Sequence, residues 1–295
     1  MVLTPNKDPQ SAVDYDDRSK TAVRSVLVEI GQVLGAFRGK FVLIGGAVPW
    51  LLLDNDDMRH VGTLDVDLSL DAEGLRESEY VDLVKALLIS GYAQKGERRR
   101  FQLVRTVRVN DGGAPIDIYV DFLMPRNVKL EKHDPPFLDD FAVQRADGAD
   151  LALKFAEMVA IEGTMPRGGI NRVEIAIASI PALLAMKGHA IGKRDKPKDA
   201  YDIYYCIRNF PQGIEALAAQ CVPLLAEQSG AEGFQYIADK FQSFEHVGPV
   251  NVREFVRGTQ ALGERSEDQW QQDAFGQVAA FLDALAKATE KAKAE

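Results

Sequence analysis

The chain lacks any run of eighteen apolar residues, so no segment reads as a helix able to cross a bilayer. Met1 to Asp17 is polar, contains two prolines and offers no apolar signal-peptide core, which makes the cytoplasm the expected location. Cysteine is scarce. Cys206 and Cys221 both fall in amphipathic helical patterns without the C-x-x-C spacing of a zinc site or redox pair, and are expected to be buried, inert thiols. Positive charge is in deficit: 35 Lys and Arg against 44 Asp and Glu give a net charge of −9. That balance excludes a protein that coats nucleic acid through a broad basic surface and leaves only local contacts. His60, His133, His189 and His246 are scattered without metal-ligand spacing, and no Gly-x-Ser-x-Gly or Cys/His arrangement suggests covalent hydrolysis.

What is present is a globular composition, 46% hydrophobic and 27% charged, in a chain of 295 residues that is long enough for two lobes. Val23, Val26, Leu27, Ile30, Val33 and Leu34 recur at three and four and predict a helix over Lys20 to Phe37, ended with the help of Gly35 and Gly39. Phe41 to Ile44 reads as a strand, Gly45-Gly46 as a tight turn and Ala47 to Leu53 as a helix. Thr63 to Leu70 alternates, with Leu64, Val66, Leu68 and Leu70 opposite Asp65, Asp67 and Ser69, as a strand with an acidic face. A helix over Leu75 to Ile89, closed by Gly91, precedes strands over Phe101 to Val109 and Ile116 to Leu123 around the turn Asn110-Asp111-Gly112-Gly113.

Leu123 to Asp139 reads as loop, with strands expected around Phe141 to Ala146, Leu151 to Phe155 and Val173 to Ala178. Beyond Ser179, a cap with Pro181 in the first turn, the pattern is helical, with further helices near Lys198, Gly213, Ala231, Val252 and Glu267. The last opens on the capping-box pattern Ser266-Glu267-Asp268-Gln269 and is expected to fray over Lys287 to Glu295. The expected fold class is α+β: a flexible tail over 1–17, a core of mixed sheet flanked by helices over 18–178, and a helical domain over 179–295.

Carboxylates at i and i+2 on a strand project to one side about 6.6 Å apart, close enough to bridge a divalent ion, and Asp65 and Asp67 have this spacing. An exposed strand face accounts for such a pair as well. Gly45-Gly46 lies nineteen residues upstream, where a backbone free of side chains can approach phosphate beside a helix N-terminus. The later strand places Asp117, Tyr119 and Asp121 on one face; Asp117 and Asp121 are roughly 13 Å apart along it, so a metal pair can use one of them but hardly both. Lys187 follows a largely apolar helical face and could meet triphosphate charge, while Asp199 and Asp202, at i and i+3, could orient Lys187, Arg194 or Lys198. Cations cluster at Arg98-Arg99-Arg100 with Arg105 and Arg108, and at Lys193-Arg194 with Lys196 and Lys198, as candidate phosphate contacts.

Strand, Gly-Gly, Asp-h-Asp and a later h-Asp-h strand together resemble the DNA polymerase beta-like nucleotidyltransferases. Lys187-Gly-His-Ala-Ile-Gly-Lys-Arg194 and Lys198-Asp199-Ala-Tyr-Asp202-Ile look like the K-L-x-A-x-x-x-R and D-x-x-D-[IL] motifs of AbiEii-type nucleotidyltransferases, in the same order. The resemblance spans about Phe41 to Phe210. It departs at Gly188, where the pattern prefers leucine, and at Ala47, where serine or threonine often follows the glycines, which bears on a hydroxyl contact to phosphate.

The resemblance implies that Asp65, Asp67 and Asp121, with Asp117 as substitute, hold two Mg²⁺. It also implies that Lys187 is catalytic and that Gly45, Gly46, Arg194, Asp199 and Asp202 surround an NTP. It implies transfer of an NMP to an acceptor hydroxyl on RNA such as tRNA, or on protein, by the toxin of a bacterial toxin-antitoxin or phage-defence system, with a cognate antitoxin as partner. A glycosyltransferase would also use Asp-x-Asp, but explains neither the third acidic strand nor the Lys187 to Asp202 block. A catalytically silent nucleotide-binding module would not need Asp65, Asp67, Asp117 and Asp121 intact.

Overall fold

The alternation around Asp65 and Asp67 builds the middle of a sheet. In the computed structural model, which describes residues 9, 11–53, 55, 58–71, 73–75, 77–95, 102–126, 143–259 and 265–294, the fold is α+β, with a mixed sheet flanked by helices followed by a helical C-terminal region. The first half runs α1 (Asp17–Val33), β1 (Phe41–Ile44), α2 (Ala47–Leu52), β2 (Asp65–Leu70), α3 (Glu77–Ile89), β3 (Gln102–Val107) and β4 (Ile116–Pro125). It continues through β5 (Gln144–Ala146), α4 (Ala149–Lys154), β6 (Ala156–Thr164) and β7 (Ile170–Ala178). The second half comprises α5 (Ile180–Lys193), α6 (Pro197–Arg208), α7 (Ile214–Cys221), α8 (Gln228–Lys240), α9 (Val247–Val256) and α10 (Glu267–Ala294). Among the described residues no helix is long and apolar enough to cross a membrane.

The strands lie in the order β3-β4-β2-β1-β7-β6, with β5 alongside the C-terminal end of β4. β2 is antiparallel to β1 and parallel to β4. Val66 and Leu68 of β2, with Ile118, Val120 and Phe122 of β4, form a buried apolar face, which fixes the register because a one-residue slip would bury the aspartates instead. α1 packs on β3, β4, β6 and β7 through Val23, Val26, Leu27 and Ile30, all fully buried and each worth about 1.5–3 kcal/mol of transfer from water. Asp16 caps α1 by accepting from the Ser19 amide at 2.7 Å.

Several expectations are corrected. Helix α1 starts at Asp17 and ends at Val33, and residues 11–17, expected within the tail, carry a short turn of helix and set Tyr15 against Phe255. Leu151 to Phe155, expected as a strand, lies mainly in the helix α4: Gly148 turns left-handed (φ +77) just before it, and a short apolar run has no period that separates helix from strand. β6 was not expected, because its edge position leaves most of its residues exposed and its alternation weak. Residues 141–142 of the strand expected around Phe141 to Ala146 lie outside the described residues, and β5 spans Gln144–Ala146. The capping box of α10 is reciprocal, Ser266 and Gln269 each bonding the other's amide, and the helix extends to Ala294 through the stretch expected to fray.

Helix α5 meets α8 backbone to backbone. A Cβ on Gly188 would lie 1.9 Å from the Gly233 carbonyl oxygen, and one on Gly233 would lie 2.3 Å from the Ala185 carbonyl oxygen. This explains why leucine is missing at 188: the space belongs to α8. Gly188→Ala is expected to destabilise the protein by about 1–3 kcal/mol, or more, through overpacking. Urea unfolding checks this, and an unchanged midpoint would show that α8 is free to move away.

Candidate functional site

Register places the acidic residues. Asp67 on β2 pairs with Ile44 on one side and with Asp121 of β4 on the other, and Asp121 pairs in turn with Gln102 of β3. Paired residues share a face of the sheet, so Asp67 and Asp121 stand side by side; Asp65, two residues before Asp67, stands beside Tyr119 on that face. Asp117 pairs with Thr106 at the far end of β4 and bonds its hydroxyl, away from the Asp67 row. The Gln102 amide donates to Asp121 Oδ1 at 2.9 Å.

The Asp67 carboxylate makes no hydrogen bond or ion pair to any described residue. Burial raises its pKa, and the charges of Lys187, Arg194, Lys196 and Lys198 offset this only in part. Its room comes from Gly45, whose φ of +77 suits glycine and whose missing Cβ would lie 1.9 Å from Asp67 Oδ2. Gly46 leaves room in the same way for Lys198, whose Nζ would lie 2.9 Å from a Cβ there. Helix α2 behind the glycines has only six residues, too short for its N-terminus to carry much weight.

The donor chemistry fits a hard divalent cation, since the set is all carboxylate oxygen and includes one half-buried member, Asp67, with no hydrogen-bond partner among the described residues. Among the described residues no three His, Cys, Asp or Glu side chains stand close enough together to hold a metal ion by themselves.

Across from this face, α5 and α6 bring a buried charge cluster. Lys187 Nζ lies 2.7 Å from Asp199 Oδ1 and 2.7 Å from Asp202 Oδ2. Arg194 forks onto Asp199 at 2.7 and 3.0 Å, and Lys198 Nζ meets both oxygens of Asp202 at 2.9 and 3.1 Å. Burial alone would depress Lys187, but two carboxylates outweigh it and raise its pKa. For Lys198, which contacts one carboxylate, burial prevails and lowers it. Burial pushes Asp199 up, yet Lys187 and Arg194 bring it down to about 2; Asp202 is driven well below the usual range, against burial, by Lys187, Lys198 and His60.

A cleft of about 350 Å³ joins the two halves, with Gly45 and Asp67 on one wall and Lys187, Lys193 and Arg194 on the other. Arg126, Arg145 and Asp147 complete its rim, and Asp147 holds Arg126 at 3.0 Å and Lys193 at 2.8 Å. A larger hollow of about 490 Å³ between the end of α1 and β7 contains none of the expected site residues. Of the first cation cluster, Arg98 to Arg100 lie outside the described residues. Arg105 is not a phosphate contact: it is buried against Glu29 of α1 at 2.7 and 2.9 Å. His189 lines the cleft and its Nε2 meets the Ser229 carbonyl at 2.7 Å.

Sequence reasoning missed His60. Its Nδ1 accepts from the Gly62 amide at 3.1 Å, which places the proton on Nε2, and Nε2 meets Asp202 Oδ1 at 2.9 Å. A lone histidine in a loop carries no sequence signal, and its partner is 142 residues away. The rim residues Arg126, Arg145 and Asp147 were likewise invisible as a group.

Burial, against the pull of Asp202, lowers the His60 pKa from 6.5 to about 4. As pH falls below 6.5 the unfolded chain takes up this proton while the folded chain stays neutral until about 4. The unfolded state then binds more protons, so stability falls with pH across this window, by up to about 3 kcal/mol. Urea unfolding at intervals across the window is expected to show this slope in the wild type and to lose it in His60→Gln; equal slopes would assign the dependence to other groups.

Comparison with curated proteins finds no significant match. Among solved structures, JHP933 from Helicobacter pylori is 11% identical with a TM-score of 0.44, covering 95% of this chain and 98% of its own. The nucleotidyltransferase toxin MenT4 from Mycobacterium tuberculosis is 14% identical with a TM-score of 0.45, covering 94% and 90%. The sequence model for the nucleotidyl transferase AbiEii toxin of type IV toxin-antitoxin systems matches residues 32–291. That match takes in the acidic strands, both glycines and the whole buried charge cluster, and the chain belongs to the AbiEii family of nucleotidyltransferase toxins.

Proposed function

We propose that this enzyme moves an NMP from an NTP to a hydroxyl of a macromolecular acceptor, with pyrophosphate leaving, and that Asp65, Asp67 and Asp121 hold two Mg²⁺ for the transfer. The observation that carries this reading is the half-buried carboxylate of Asp67, without a hydrogen-bond partner among the described residues, at the edge of a cleft whose facing wall bears Lys187, Lys193 and Arg194. When bound, the metal supplies charge neutralisation of the triphosphate and a lowered pKa at the acceptor hydroxyl.

The chain's own residues divide the remaining work. Lys187 and Arg194, already charged and fixed by Asp199 and Asp202, offset the negative charge that builds on the leaving pyrophosphate without reorganising. Asp121, level with Asp67 and oriented by Gln102, takes up the proton of the attacking hydroxyl. Asp117, four residues along β4, is the less favourable substitute. Asp199 and Asp202 act on the cations rather than on the nucleotide. The site falls between a core over 18–178 and a helical lobe over 179–295. The basic rim of Arg126, Arg145 and Lys193 favours RNA, tRNA included, over protein as acceptor. A cognate antitoxin restrains the activity in the cytoplasm.

Incubation with each radiolabelled NTP, Mg²⁺ and total RNA or cell protein is expected to label RNA. Asp67→Asn is expected to lower the rate by about a thousandfold, as losing several kcal/mol of transition-state stabilisation would. Label on protein would reassign the acceptor, and no label with any NTP would refute the transfer. Gly45→Ala, which drives a methyl into Asp67, is expected to abolish the thermal stabilisation that Mg²⁺ with NTP confers. A wild-type shift in that variant would separate Asp67 from metal binding.

A further inference from the structure

The segment that leads into β2 is buried, with Met58, His60, Val61 and Thr63 all shielded from water. A loop so placed must satisfy its polar groups internally, and it does so against one face of α6. Asp202 holds His60 in this way, and Tyr205 and Asn209, three and seven residues on, hold Leu53 and Asn55. The Tyr205 hydroxyl donates to the Leu53 carbonyl at 3.3 Å, Asn209 pairs with Asn55 at 2.6 Å and Asp202 meets His60 at 2.9 Å. Among these contacts the one with His60 reaches the charge cluster: Asp202 Oδ1, which accepts from His60, is also 2.9 Å from Lys198 Nζ, while Oδ2 is 2.7 Å from Lys187 Nζ. Tyr201 and Tyr205 flank the ring, with centroids 5.5 and 4.7 Å away, the first tilted and the second edge-on. Five residues after His60 the chain reaches Asp65.

We propose that His60 is a positioning residue for nucleotidyl transfer: its Nε2–H, aimed by the Gly62 amide on Nδ1, fixes the acidic strand β2 relative to Lys187 and Lys198 through their shared carboxylate, Asp202. The inference rests on the transfer reading above. His60 touches neither nucleotide nor metal in this role. It sets the separation between the carboxylates and the cations, on which simultaneous engagement of metal and triphosphate depends, and misplacement there costs turnover more than binding.

The test compares His60→Gln, whose amide reaches the Nε2 position, with His60→Asn, whose amide reaches only the Nδ1 position. In His60→Asn, kcat is expected to fall about 10- to 100-fold while KM for NTP stays within about threefold, and His60→Gln is expected to recover most of the loss. Hydrogen exchange is expected to quicken over residues 58–70 in His60→Asn alone, with α7 unchanged. Equal kcat in the two variants would overturn the proposal, as would a loss of kcat that follows a general loss of melting temperature. Failure of the transfer reading would show separately, as wild-type protein that labels no acceptor. Exchange then decides about His60: unchanged protection over 58–70 in His60→Asn overturns the clamp, and faster exchange upholds it.

Discussion

Asp202 is fully buried, and an ionised carboxylate in that position survives only if enough charge and hydrogen bonding reach it. Two lysines and an imidazole do, each from a different part of the chain: Lys187 from α5, Lys198 from α6 itself, and His60 from the loop before β2. The carboxylate therefore cannot be placed until both halves have come together. Removing any one donor would leave the other two to stabilise a charge that burial makes costly. The two lysines record the imbalance, one raised and one lowered, because Lys187 has a second carboxylate in Asp199 and Lys198 does not.

The cluster does not close on itself. Lys187, Lys198 and Arg194 face Asp199 and Asp202, which leaves one positive charge over, and the nearby carboxylate that feels it is Asp67. Two opposite charges are thus held near each other across a cleft without being joined. A metal ion on the acidic side and a triphosphate on the basic side would satisfy both at once, so the arrangement suits a ligand that carries its own cation.

How much of this could be read beforehand follows from where the partners lie. The acidic face of β2 was legible because a strand with one buried face must alternate, and Asp65 and Asp67 sit in the alternation. The α5 and α6 residues were legible because Lys187, Arg194, Lys198, Asp199 and Asp202 lie within sixteen positions, at helical spacings. Asp121 needed more than spacing, since only the parallel pairing of β2 with β4 sets it level with Asp67 and leaves Asp117 behind. His60 was beyond reach, as a side chain that acts across 142 residues leaves no periodic trace. The helix α4 was misread because six residues with four apolar positions fit either element, and Arg105 because a local run of arginines says nothing of the glutamate that waits on α1.

The contact between Gly188 and Gly233 restricts which residues the two positions can hold. Each glycine sits where the other helix's backbone occupies the space a methyl would need, so neither position can accept a larger residue while the other helix stays in place. Leucine at 188, preferred in the family pattern, is therefore closed to this chain by any single step. It would have to arrive together with a displaced α8. The pair sets the distance between α8 and the helix that carries Lys187, so the placing of that lysine depends on two residues that have no side chain of their own.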